Sequence, residues 1–140
     1  GGGVVLTEDF PGFAVSNTTD VAGSLDEYTA AAGWIGSKIY QNIGSIKLGT
    51  SSAQGWIATP ALDLSGTTKV SFKAASWPAD ATTVLVGIST DGGATYTDDS
   101  VVLSETMTAY EVTFPAGAAG SKIRWMASAA SKERWLGLLL

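Results

Sequence analysis

Apolar and polar residues alternate with a period of two in four segments of the chain. In the first of these, Val70, Phe72 and Ala74 share one side, and lysine and serine residues occupy the positions between them. This period is typical of antiparallel strands that bury one face, so each segment predicts a strand of that kind. The four segments are 69–75, 82–90, 110–114 and 122–127.

Six shorter segments are further strand candidates: 4–10, 13–16, 45–49, 55–59, 100–103 and 134–140. Turn-forming pairs and triplets, such as Pro11-Gly12 and Asp91-Gly92-Gly93, separate the candidates from one another. Strands that each bury one face are accommodated most simply by two packed sheets. The sequence therefore predicts an all-β fold, a two-sheet antiparallel jelly-roll sandwich of about nine strands.

One helical signal interrupts the strand pattern. Ser24 and Glu27 have the spacing of a capping box, and Gly33 is a stop signal, so a helix of at most two turns is predicted over 28–32. An ordered loop is an equally open alternative, because residues 17–37 form the longest stretch without alternation.

Length and composition limit the number of domains and the chemistry. A chain of 140 residues fits a single domain, 1–140, with residues 1–3 as a linker or tag. It has no His and no Cys, which excludes Ser-His-Asp and Cys-His nucleophile systems, Cys/His zinc sites and disulfides. No pair of carboxylates is marked as a hydrolytic dyad, so we expect no enzyme.

The charge and hydropathy patterns exclude two kinds of partner. Eight Lys and Arg residues and a net charge of −5 supply no basic face, so no nucleic acid is expected. No run of 18 apolar residues exists, so no membrane span is expected.

Aromatic side chains are the main candidates for ligand contact, because exposed rings can stack on the apolar C–H faces of sugars. Trp125 alternates with Ile123 and is expected in the core. The candidate ligand-binding residues are Trp34, Tyr40, Trp56 and Trp77. The alternative for these rings is burial, with Trp34 and Trp77 closing the ends of the sandwich.

The segment 89–96 has the form S-x-D-x-G-x-T-aromatic and resembles the Asp-box of sialidases. Its Asp91 can accept backbone hydrogen bonds across a turn, so the segment predicts a rigid hairpin, with a ligand role as the alternative. The following pair, Asp98-Asp99, predicts either a solvated turn or a weak cation site.

An ordered series of segments carries a resemblance over nearly the whole chain: 6–10, 33–34, 45–49, 55–65, 70–72, 89–96 and 123–125. The most specific part is Thr59-Pro60-Ala61-Leu62-Asp63-Leu64-Ser65, followed by a strand. The series resembles the jelly-roll domains of secreted Bacteroidetes proteins, of the cleaved-adhesin and choice-of-anchor type. Those domains are distantly similar to MAM and reelin-type jelly rolls.

The resemblance implies a bacterial protein at the cell surface or outside the cell, with other domains in a parent protein. It implies a non-catalytic binding module, most simply for carbohydrate. The alternative is a structural or adhesion module that binds a surface protein and no small molecule.

The resemblance also implies one structural calcium ion, bound by an acid of the first strand and an Asp of the last. Glu8 and Asp9 match the first half, and residues 135–140 carry no acid for the second. On the residues alone, Glu8 and Asp9 are either calcium ligands or a charged strand end.

Overall fold

The structure, a computed structural model, describes residues 7–8, 12–13, 15, 19–41, 46–50, 54–64, 68–76, 83–106, 108–115, 119–127 and 133–139. For 7–8, 68, 76, 127 and 133–139 only the backbone is described. The described chain forms eleven strands and one 3₁₀ helix (Ala22–Glu27). The strands are β1 (Thr7–Glu8), β2 (Ile35–Ser37), β3 (Ile39–Gln41), β4 (Ile46–Leu48), β5 (Trp56–Ala58), β6 (Thr68–Ser76), β7 (Thr83–Ser89), β8 (Thr97–Val102), β9 (Thr108–Phe114), β10 (Lys122–Ala127) and β11 (Glu133–Leu139).

The strands form two antiparallel sheets. The six-stranded sheet has the order β3-β4-β11-β6-β9, and β1 pairs with the C-terminal end of β11. The five-stranded sheet has the order β2-β5-β10-β7-β8. This arrangement confirms the predicted all-β antiparallel sandwich.

The strand count exceeds the predicted nine because β2 and β3 show no alternation: all three residues of β3 are buried, and none of β2 is. Between them lies Lys38, whose φ of 56° is a left-handed conformation that few non-glycine residues adopt. The Lys38 carbonyl accepts a hydrogen bond of 2.8 Å from the Gly49 amide. At this point the chain passes from the five-stranded sheet to the six-stranded sheet.

The core lies between the sheets and centres on Trp125, which is fully buried, as predicted. Its ring meets Phe72 of the opposite sheet edge-on, at 6.0 Å between centroids. Trp34 lies against it at 6.3 Å. Aromatic pairs at these separations add about 0.5–1.5 kcal/mol beyond the burial of their area. Trp125 therefore joins the two sheets.

Of the two alternatives for 28–32, the helix is wrong and the loop is confirmed, because the 3₁₀ helix precedes that segment. Ser24 lies inside it with non-helical backbone angles and does not form the predicted capping box. Asp20 takes the capping role instead. Its Oδ1 accepts hydrogen bonds from the amides of Ala22 (3.0 Å) and Ile39 (3.2 Å), so it joins the helix to β3.

Two further predictions concern the candidate strand 13–16 and a membrane span, and the structure describes only part of the chain that bears on them. Half of the candidate strand 13–16, residues 14 and 16, lies outside the described residues, and Phe13 is a buried core residue outside any strand. Within the part that the structure describes, no helix is long and apolar enough to span a bilayer.

Replacing Trp125 by Ala should lower the free energy of unfolding by about 3–5 kcal/mol, because it removes a buried indole and leaves a cavity. Urea unfolding followed by circular dichroism measures the change. The matched control is Trp56→Ala, the same substitution on a partly exposed strand position, for which we expect a much smaller loss. Equal losses in both variants would contradict the role of Trp125.

Candidate functional site

Alternation in β10 divides its side chains between the core and the solvent. Ile123 and Trp125 are fully buried in the core, so Lys122, Arg124 and Met126 lie on the opposite side of the five-stranded sheet. We call that side the outer face. It spans about 20 Å across five strands.

Strand register identifies the neighbours of these residues on the outer face. Arg124 lies opposite Ala58 of β5 and Gly87 of β7, and those lie opposite Ile35 and Asp98 on the two edge strands. The adjacent row across the same strands consists of Ser37, Trp56, Met126, Leu85 and Ser100.

The second row is an apolar strip. Trp56, Met126 and Leu85 lie side by side on β5, β10 and β7, and each is partly exposed. Side chains directly opposite in an antiparallel sheet have Cβ atoms about 5 Å apart, close enough to form one continuous surface. Ile35, in the first row, is 47% exposed and extends the apolar surface to the edge of the sheet.

A charged cluster adjoins the apolar strip. The Arg124 Nη2 atom lies 3.3 Å from Oδ1 and 3.2 Å from Oδ2 of Asp98. The Arg124 Cζ lies 4.0 Å from the centroid of the Tyr96 ring, a cation–π contact. The Arg124 and Asp98 side chains are 20% and 25% exposed. The guanidinium is therefore held in place by two different interactions while it remains accessible to solvent.

Gly87 makes the Arg124–Asp98 contact possible. The two side chains come from β10 and β8, and Gly87 of β7 lies between them in register. A Cβ atom on Gly87 would lie 2.2 Å from the Asp98 Oδ1. A glycine within a strand often marks such a close approach. The ion pair thus crosses the sheet over a position that lacks a side chain.

The hairpin 89–96 forms as predicted, and Tyr96 at its end lies on the outer face, against Arg124. Asp91 accepts hydrogen bonds from the Ser89 hydroxyl (2.7 Å), the Thr95 amide (2.9 Å) and the Thr95 hydroxyl. Gly92 and Gly93 take positive φ angles of 76° and 100°, which suit glycine at a turn. The network fixes the turn immediately before Tyr96.

Two groups of the hairpin have shifted pKa values. Hydrogen bonds from Ser89 and then from Thr95 hold the pKa of Asp91 well below its ordinary value of 3.8, because they stabilise the carboxylate. Burial raises the pKa of the Tyr96 phenol, which therefore stays neutral.

The candidate aromatic residues occupy different parts of the fold. Trp34 is only 3% exposed and packs on Trp125, so the expectation of a surface ring is wrong for Trp34. Tyr40 lies on the outer side of the six-stranded sheet, 8% exposed, with the Lys47 Nζ 5.0 Å from its ring centroid. Of the candidates within the described chain, Trp56 alone lies on the outer face. Trp77 lies outside the described residues.

The expectations for the acids have mixed outcomes. Asp98 and Asp99 lie in β8 and not in a turn, because β8 begins before them at Thr97. Glu8 pairs through its backbone with Leu138 of β11, and its side chain and Asp9 lie outside the described residues. No three His, Cys, Asp or Glu side chains come together within the described ranges. Calcium binding therefore stays a prediction.

Of the charged cluster, the sequence pattern did not single out Arg124, and it indicated Tyr96 and Asp98 only as parts of a hairpin and of a turn or weak cation site. Alternation with Trp125 does place Arg124 on the exposed side of its strand. The contact with Asp98, 26 residues away, depends on the register of three strands, which the sequence pattern does not reveal.

Comparison with known proteins yields structural neighbours only, since no family model and no curated protein matches the chain. A variant of the carbohydrate-binding module CBM29-2, in complex with mannohexaose, is similar with a TM-score of 0.66 and 10% identity, covering 98% of this chain and 91% of that one. The CBM22-1–GH10 modules of Clostridium thermocellum xylanase 10B, in complex with xylohexaose, have a TM-score of 0.60 and 14% identity, covering 97% of this chain and 28% of that one.

A third neighbour is TmCBM61 in complex with β-1,4-galactotriose, with a TM-score of 0.54 and 13% identity, covering 78% of this chain and 88% of that one. Identities this low establish the fold and nothing further. The chain has the two-sheet jelly-roll fold found in these carbohydrate-binding modules.

Replacing Asp91 by Asn should destabilise the protein most at neutral pH. A carboxylate whose pKa falls on folding contributes stability above its unfolded pKa, 3.8, and loses it as the pH falls toward the folded pKa. The difference in melting temperature between wild type and Asp91→Asn should therefore narrow as the pH falls from about 5 to about 2. Asp99→Asn, an exposed acid of β8, is the control and should show little difference throughout. A constant gap for Asp91→Asn would contradict the proposed network.

Proposed function

We propose that the chain is a non-catalytic carbohydrate-binding module and that its glycan lies across the outer face of the five-stranded sheet. The observation that carries the proposal is the partly exposed Trp56 in one strip with Met126 and Leu85. A flat aromatic ring beside apolar side chains can stack against the C–H faces of a sugar chain.

The charged cluster supplies the polar part of the same site. Arg124 and Asp98 lie one row away from the apolar strip, and hydrogen-bond donors and acceptors at this position can orient the sugar hydroxyls. The Tyr96 ring and the Asp98 carboxylate hold the guanidinium before any ligand arrives. Such preorganisation lowers the entropy cost of binding.

The proposal also covers the location of the module and its place in a larger protein. We infer a module outside a bacterial cell or on its surface, of the secreted Bacteroidetes type that the sequence resembles, and one part of a larger protein. Support comes from the similarity to solved carbohydrate-binding modules, one of which is joined to a GH10 module in the same structure.

A surface protein is the alternative partner, and the outcome of the glycan experiment below decides between the two. The β8 edge of the five-stranded sheet argues against partner binding by strand addition at that edge. On β8, Asp99 is opposite Val86, a core residue, so a charge points to the inner side of an edge strand. Inward-pointing charges on an edge oppose pairing with another strand.

Calcium binding by Glu8 or Asp9 is a further part of the proposal, supported by the sequence resemblance. An ion bound at β1 would stabilise the pairing of β1 with β11, which comprises two residue pairs among the described residues. It has a structural role in this account and takes no part in glycan contact.

Replacing Trp56 by Ala should weaken glycan binding by at least about tenfold, or about 1.4 kcal/mol, because the stacking surface is lost. Titration calorimetry with mannohexaose, xylohexaose and β-1,4-galactotriose, guided by a glycan array, measures the change. Trp56→Phe, which keeps a ring, should retain more of the affinity than Trp56→Ala.

The control variant is Lys73→Ala, an exposed residue on the outer side of the six-stranded sheet, which should bind as wild type does. Full affinity in Trp56→Ala would refute the site. Absence of binding to any glycan of a broad array would refute the function and favour the surface-protein alternative.

Removing calcium should lower the melting temperature by several degrees, since a ligand present at about 100 times its Kd stabilises the folded state by about 2.7 kcal/mol. Calorimetry with and without a chelator tests this, with Glu8→Gln/Asp9→Asn as the comparison. An unchanged midpoint in the wild-type protein rules out Glu8 and Asp9 as ligands.

A further inference from the structure

Positive and negative side chains are equal in number on the outer face. Together with the hairpin 89–96, this face has two cations, Lys122 and Arg124, and two carboxylates, Asp91 and Asp98, among its described residues. Arg124 is paired directly with Asp98. The protein as a whole has a net charge of −5. An anionic ligand would thus meet a compensated guanidinium and an adjacent carboxylate.

Hydrogen-bonding chemistry also favours an uncharged ligand that carries hydroxyl groups. A sugar hydroxyl both donates and accepts hydrogen bonds, whereas a carboxylate only accepts them. Arg124 offers donors, and Asp98 offers acceptors at the same position. The Arg124 and Asp98 side chains both remain partly exposed, so a ligand can reach the pair. A donor and an acceptor side by side match hydroxyls better than they match carboxylates.

The backbone keeps this pairing in place. Gly87 leaves room for the Asp98 carboxylate above β7, and a Cβ at that position would displace it. The neighbouring acid Asp99 is on the other side of β8, opposite the core residue Val86. Of two adjacent acids, one therefore lies beside Arg124 and the other does not.

We propose that Asp98 makes the module selective for uncharged glycans over uronate-containing ones, by neutralising Arg124 and accepting hydrogen bonds from sugar hydroxyls. This inference rests on the proposed function, because it names the ligand class of that site. Asp98 is a specificity-determining residue in this account, and Arg124 and Gly87 are needed for its effect.

The test measures the affinity of wild type and variants for mannohexaose, xylohexaose, β-1,4-galactotriose and an oligogalacturonate of similar length. Wild type should prefer an uncharged oligosaccharide by at least about tenfold. Asp98→Asn should lose affinity for it and gain affinity for oligogalacturonate, because Arg124 is then uncompensated. The gain should weaken as salt is raised.

Asp99→Asn is the matched control, since it changes the net charge by the same amount and should keep the wild-type preference. Gly87→Ala is the second variant; it displaces the Asp98 carboxylate without changing any charge and should reduce the preference even if Asp98→Asn does not fold.

Equal or tighter binding of oligogalacturonate by wild type would overturn the selectivity while the proposed function stands. A parallel loss of both ligands in Asp98→Asn and Gly87→Ala would overturn it too, since it would indicate a merely structural role. If wild type binds none of these oligosaccharides and no glycan on an array, the proposed function itself fails.

Discussion

The Trp125 indole is fully buried between the two sheets, where it meets Phe72 across the sandwich and Trp34 beside it. Side chains alternate along a strand, so the burial of Trp125 sends Arg124 and Met126 to the other side of β10. One face of β10 thus contributes to the core, and the other contributes to the candidate binding surface. A register shift of one residue would bury the guanidinium and expose the indole, at a large cost in stability.

The charged part of the site depends on a contact between distant parts of the chain. Arg124 and Asp98 are 26 residues apart, and they meet because β7 lies between their strands and has Gly87 at the crossing point. The hairpin before β8 is fixed by Asp91, which places the Tyr96 ring against the guanidinium. The Arg124 guanidinium is therefore positioned both by the hydrogen bonds of the local turn and by the register of distant strands.

The fold was largely predictable because alternation is strong in β6, β7, β9 and β10, whose inward residues form much of the core. The strands β2 and β3 were not, since neither alternates: all three residues of β3 are buried, and none of β2 is. Trp56 was identified as a candidate by its type. Trp34 was misjudged because its position after a glycine suggested an exposed loop, whereas the indole turns inward onto Trp125. The Arg124 cluster depends on tertiary register, and a pattern within one strand does not contain that information.

Backbone amide chemical shifts, recorded while an oligosaccharide that binds is titrated into the protein, locate the ligand without any substitution. The perturbed amides should lie in β5, β7, β8 and β10, and the Trp56 indole signal should shift with them. Perturbations concentrated in β3, β4, β6 and β9 of the six-stranded sheet, with the Trp56 signal unmoved, would contradict the proposed site.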